Sequence, residues 1–115
     1  MFVLFLLMKN YKSGAHTRHD LKIHLVWITK YRKKVLHGTI ALRLRELLRR
    51  YCQELEIEII KGHVSRDHVH MLLGYPPKLS VSKIAQSLKG KSSHKLMNEY
   101  RELKKQFWGQ RMWAR

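Results

Sequence analysis

The chain has 115 residues, 44% of them hydrophobic, which allows one globular domain with a modest core and excludes both a disordered chain and a second domain. Lys and Arg number 24 against 8 Asp and Glu, a formal charge of +16, so the compact state repels itself unless a polyanion neutralises it. Nucleic acid is the polyanion this balance favours over an anionic membrane, because each neutralised phosphate also releases condensed counterions. The lone Cys52 excludes an internal disulfide and a cysteine-based zinc site, and fits a cytoplasmic protein.

Residues 1–8 (MFVLFLLM) form the longest apolar run, far too short to span a bilayer and lacking the basic start and small-residue cleavage site of a signal peptide. Residues 1–7 read as a start-site extension or a loose edge strand, and residues 1–18 together as an N-terminal arm before a single domain over 19–115. Residues 19–30 alternate as a strand, with Leu21, Ile23, Leu25 and Trp27 on one side and Lys22, His24, Val26 and Ile28 on the other. A basic turn follows, Lys30-Tyr31-Arg32-Lys33-Lys34. Residues 40–55 repeat Ile40, Leu44, Leu47, Leu48, Tyr51, Cys52 and Leu55 at helical spacing behind a potential Thr39 cap, with Cys52 as a small core residue.

Two strands are predicted next, over 56–64 and 68–74, joined by the turn Ser65-Arg66-Asp67 and ended by Pro76-Pro77. Residues 80–103 read as a second helix capped by Ser80, with Gly90 and Ser92-Ser93 marking a bend or a close backbone approach. The aromatic tail from Phe107 to Trp113 could open another strand. The order strand, helix, strand, strand, helix is an α+β, ferredoxin-like (RRM-like) βαββα(β) pattern. Its antiparallel sheet would carry two helices on one face, with the closing strand absent or only begun.

The chemistry concentrates at His68-Val69-His70. Residues i and i+2 of a strand share a face, so both imidazoles point together, opposite Val69, Met71 and Leu73. Two neutral imidazoles can share a divalent ion of the Mn, Zn, Ni or Cu type, or Mg alongside oxygen ligands, while a third donor must come from elsewhere. As ordinary strand residues they would merely donate to phosphates. Asp67 could orient one imidazole or serve only as the turn residue, and His63, across the hairpin, is an added ligand or a polar neighbour. His16, His19, His24, His37 and His94 show no useful spacing. Lys30, Tyr31, Arg32, Lys33 and Lys34, together with Lys89, Lys91 and Ser92 around Gly90, are the predicted DNA contacts, Tyr31 by stacking on a base.

These pieces in this order — His24-Leu25-Val26-Trp27, Lys30 to Leu36, Asp67 to Leu73, Leu88 to Ser93, then Phe107-Trp108 and Trp113 — closely resemble the TnpA-type single-tyrosine transposases of the insertion-sequence 200/605 group, over about residues 15–115. The resemblance implies an HUH (His-hydrophobe-His) nuclease, working as a homodimer on hairpins in single-stranded DNA. It implies Mg2+ or Mn2+ on His68 and His70, and cleavage and rejoining through a 5′-phosphotyrosine link. In the family the nucleophilic tyrosine and a glutamine metal ligand lie on a helix after the closing strand. No tyrosine here matches that position, so the resemblance points to a C-terminally truncated copy that does not cleave alone. The competing readings are a single-stranded-RNA-binding sheet of the RRM kind and a truncated regulator that occupies DNA ends.

Overall fold

The computed structural model describes residues 19–108 and 111–115 in full and residues 3–8 by their backbone. The alternation read between residues 19 and 30 becomes β2 (Leu21–Ile28), with Ile23, Leu25 and Trp27 buried on one side. Around it stand β1 (Val3–Met8), β3 (Glu58–Val64) and β4 (His68–Tyr75), in the order β1-β2-β4-β3 with every neighbouring pair antiparallel. α1 (Gly38–Glu54), α2 (Val81–Glu99) and the short α3 (Arg101–Gln106) complete the described elements. One core joins Ile23, Leu25, Trp27, Val69, Met71 and Leu73 of the sheet to Leu44, Leu47, Leu88 and Leu96 of the helices. The helices therefore cover one face and leave the other open, the α+β arrangement expected from the sequence.

The N-terminal run takes up the edge-strand alternative. Val3–Met8 is an edge strand that pairs along β2 from Val3↔Trp27 to Met8↔Lys22, so the sheet extends across the predicted boundary at residue 18. An apolar run beside an unpaired strand edge satisfies that edge's open backbone donors and acceptors. Residues 9–18 lie outside the described residues. The predicted start of another strand in the tail is also present: Trp113 bridges Thr29, and the Ala114 N–H donates to the Ile28 carbonyl at 2.9 Å. The tail thus enters the same edge of β2 that β1 occupies further along.

Both helices differ from expectation in detail. α1 starts at Gly38, one residue before the supposed Thr39 cap, and its N-cap His37 makes no side-chain cap bond. Gly38 has φ of +58°, a conformation that costs glycine little and a β-carbon much. In α2 the Ser80 cap is as expected, its Oγ accepting from the Lys83 N–H at 3.1 Å. The predicted bend at Gly90 is absent, and among the described residues no atom outside its own helical turn lies within 4 Å of where its β-carbon would be. The chain breaks instead at Tyr100 (φ −122°, ψ 101°), which separates α2 from α3. Ser92 and Ser93 are buried because they bond the tail: Ser92 Oγ accepts from Trp113 Nε1 at 3.0 Å, and Ser93 Oγ from the Met112 N–H at 3.2 Å.

No described helix is long and apolar enough to cross a membrane. Cys52 is a small core residue, and burial pushes its thiol up to about 12. Folded protein at pH 8 should therefore resist an aromatic disulfide reagent, and labelling should follow global unfolding; rapid labelling without denaturant would contradict this packing. Arg43 of α1 donates two bonds of 2.9 Å to Glu99 at the end of α2, and these bonds hold the Glu99 carboxyl below its usual range. A depressed folded pKa gives stability that is present above the unfolded value, near 4.5, and lost as pH falls through the folded one. Glu99→Gln should lower Tm at pH 7 and leave it unchanged at pH 2, as read by thermal denaturation.

Candidate metal centre and nucleic-acid interface

β4 sorts its side chains by parity. Val69, Met71 and Leu73 enter the core, while His68, His70 and Leu72 are half-buried on the open face. The register sets Ile28 opposite His68, Val26 opposite His70 and His24 opposite Leu72 on one side, and His63 opposite His70 on the other. Histidines 24, 63, 68 and 70 thereby form a band on the open face. No Phe, Trp or Tyr of β2, β3 or β4 shares that face, which removes the stacking platform of an RNA-binding sheet.

His68 donates from Nδ1 to Asp67 Oδ1 at 2.9 Å, which leaves Nε2 with its lone pair. Asp67 is held from its other side, where Arg32 Nε and Nη2 donate to Oδ2 at 3.2 and 3.1 Å. The bond from His68, and after it Arg32, keeps the Asp67 carboxyl below its ordinary range against the opposing effect of partial burial. Asp67 is also tied by its backbone, its carbonyl accepting from the Thr29 N–H at 2.9 Å. Burial, then the neighbouring charges of His24, His68 and His63, lowers the pKa of His70. That favours the neutral imidazole, the form that can bind a metal.

His70 Nε2 meets His24 Nε2, with ring centroids 4.0 Å apart and planes tilted by 54°. Among the described residues no three His, Cys, Asp or Glu side chains are placed to hold one ion together. His63 is exposed and adds no third ligand as it stands. The pair itself fits a divalent ion on donor chemistry: two imidazoles on one face, one with its tautomer set by a carboxylate and the other biased to neutrality.

The basic turn adjoins this pair through Arg32. Lys30–Arg32 is a single 3-10 turn in which Tyr31 (φ 60°) and Arg32 (φ 52°) are both left-handed, leaving the Tyr31 ring 71% exposed with Lys30 Nζ 5.5 Å from its centroid. Lys34 faces solvent, whereas Lys33 reaches back to the Gln106 carbonyl at 2.8 Å. The second predicted patch is separate. Lys89 donates to the Ala114 carbonyl at 3.1 Å and Lys91 lies over the Tyr51 ring, both on the helical side of the sheet, away from the histidines. Ser92, predicted to touch DNA, is 0% exposed and is corrected to a packing residue that anchors Trp113. A groove of about 1160 Å³ runs along α2 and the tail, lined by residues such as Leu25, Ala85, Lys89, Arg111 and Trp113, and includes none of the histidine band. His24 escaped sequence analysis because it lies 46 residues from His70; only the β2–β4 register joins them.

Comparison with known proteins gives the family. Residues 17–115 match the model described as "Transposase IS200 like". The transposase for insertion sequence element IS200 of Salmonella typhimurium is 38% identical over 108 residues, covering 94% of this chain and 71% of the relative. The ISDra2 transposase TnpA of Deinococcus radiodurans is 35% identical over 102 residues, covering 89% of this chain and 73% of the relative. A crystal structure of a transposase-family protein from Deinococcus radiodurans superposes with a TM-score of 0.77 at 33% identity, covering 90% of this chain and 80% of that one. With a family match that takes in the whole sheet except β1 and both long helices, the chain belongs to the IS200-like transposases, whose function is DNA transposition.

Proposed function

We propose that this transposase is of the HUH type and that His68 and His70 hold the divalent cation, Mg2+ or Mn2+, at which single-stranded DNA is cleaved and rejoined. The observation that carries the reading is that His68, whose Nδ1 is fixed by Asp67, shares the open face of a basic sheet with His70. When bound, the ion supplies Lewis-acid polarisation of the scissile phosphate. The protein's own part is to aim both imidazoles. Asp67 orients His68 and, through Arg32, ties the basic turn to the same point. Lys30, Arg32 and Lys34 then neutralise the backbone on either side of the reacting phosphate, and Tyr31 offers its exposed ring to an unstacked base. Hairpin ends are the substrate form, a homodimer the working assembly, and the cytoplasm the setting.

The nucleophile of the family is a tyrosine, and none of those described suits the role. Tyr51 and Tyr100 donate their hydroxyls to the Lys91 and Thr39 carbonyls, Tyr75 is buried on the helical face, and Tyr31 belongs to the basic turn. Tyr11 lies outside the described residues.

His68→Ala with His70→Ala should abolish Mn2+ binding seen by electron paramagnetic resonance while the protein still melts cooperatively; unchanged binding would sink the HUH assignment. On a single-stranded hairpin with Mn2+, residues 1–115 should give a salt-sensitive complex and no covalent adduct on a denaturing gel, and an adduct would refute the assignment of the tyrosines. Lys34→Ala should reduce the slope of log affinity against log salt by about 1, as expected for one lost phosphate contact. Ser92→Ala should leave that slope alone and lower Tm; the opposite pattern would restore Ser92 to the interface.

A further inference from the structure

The two imidazoles of the His68–His70 pair are held differently. A ring nitrogen can serve one partner at a time, and in metal sites the nitrogen that does not bind the ion is almost always committed to an outer hydrogen bond that sets the tautomer. For His68 that outer partner is Asp67, at Nδ1. Among the described residues no carboxylate is seen to play that part for His70. The group facing it is the His24 imidazole, which meets it Nε2 to Nε2 with the rings tilted by 54°.

The placement comes from the sheet. His24 and His70 are not directly opposite one another: Val26 faces His70, and His24 faces Leu72. They are diagonal neighbours on one face of an antiparallel pair, within reach of long side chains. His24 lies on the side of His70 away from His68, since Ile28, four residues further along β2, is the residue opposite His68. Among the described residues no three ligands, His24 included, are placed together to hold one ion. His24 is half-buried, as is His70, so water competes weakly for their contact.

We propose that His24 is the positioning residue for His70, the counterpart of Asp67 for His68: it accepts the His70 Nε2–H, fixes the ring, and leaves Nδ1 for the cation. The two ligands then present different nitrogens, Nε2 from His68 and Nδ1 from His70. A neutral imidazole acceptor is the gentler of the two supports, since it adds no negative charge to the site. The site therefore pairs one carboxylate-backed ligand with one imidazole-backed ligand, and His24 contributes to metal affinity without touching the metal.

The inference rests on the cation reading above, and the experiment separates the two. Mn2+ affinity would be measured by electron paramagnetic resonance for the 115-residue chain and for H24F, H24Q and the H68A/H70A double variant. H24F keeps a ring in the strand but no acceptor, and should weaken Mn2+ binding about 10- to 100-fold. H24Q keeps a carbonyl acceptor and should recover most of that loss. Long-range nitrogen–proton NMR with Zn2+ should show the His70 Nδ1 and the His68 Nε2 shifting on binding. A single Nε2–H tautomer of His70 should be present before metal is added, and lost in H24F. If the double variant still binds Mn2+, the cation reading fails. If the double variant loses the ion while H24F binds as wild type or more tightly, or if His70 coordinates through Nε2, the role of His24 is overturned. Equal weakening in H24F and H24Q would overturn it as well, because a bare packing role makes no distinction between the acceptor and its absence.

Discussion

Asp67 is the point through which the rest of the site is organised. Its carboxylate accepts from His68 on one oxygen and Arg32 on the other, while its carbonyl accepts from the Thr29 backbone. One residue in a tight turn thus joins the start of β4, the end of β2 and the basic 3-10 turn. Thr29, fully buried, extends the same knot: its hydroxyl donates to the Lys33 carbonyl at 2.8 Å and its strand position bridges Trp113. A charged group can do this at the rim of the sheet because its negative charge has two cationic or polarisable donors and never stands alone. The imidazole that would bind metal and the cations that would meet phosphate are therefore positioned by a shared anchor.

The sheet then separates two kinds of work. Its helical face is filled by Leu, Ile, Val and Trp, and its open face carries the histidine band. With 24 basic residues against 8 acidic ones, positive charge appears on both sides, so charge alone says little about where DNA would lie. Location decides. Arg32 is bonded to the residue that orients His68, while Lys89 and Lys91 are bonded to or packed on the helical layer and the tail. On the proposed reading this division suits the chemistry, because a phosphoryl-transfer site needs its cations beside its metal ligands and not merely on the same molecule.

The edge of β2 shows a second economy. Two segments distant in sequence share it, β1 along residues 22–27 and the Trp113–Ala114 segment at Ile28 and Thr29. Between them they pair an edge that would otherwise expose donors and acceptors beside an apolar strand. The tail is seated by Ser92 and Ser93, whose hydroxyls bond it, and by the edge-to-face contact of Trp113 on Trp27 at 5.9 Å. Small polar residues in the middle of a helix thus bind the chain's own last segment.

Much of this was legible before any coordinates. Period-two alternation within residues 19–30 and 68–74 assigned two strands and their faces, because burying one face of a sheet forces that pattern. Apolar spacing over residues 40–55 gave α1, though not its start, and Ser80 gave the start of α2, since a hydroxyl cap acts within three residues. His68 and His70 were readable as a pair because their relation is purely local. What stayed hidden involved partners far apart in the chain. Gly90 looked like a bend because glycine tolerates one, yet α2 runs unbroken from Val81 to Glu99. Ser92 looked like a phosphate donor until Trp113 proved to be its partner. His24 looked idle at 46 residues from His70, and only the β2–β4 register brought the two rings together. Local chemistry is written in spacing, but strand register and long-range hydrogen bonds arise from how separate segments pack, which no spacing along one segment encodes.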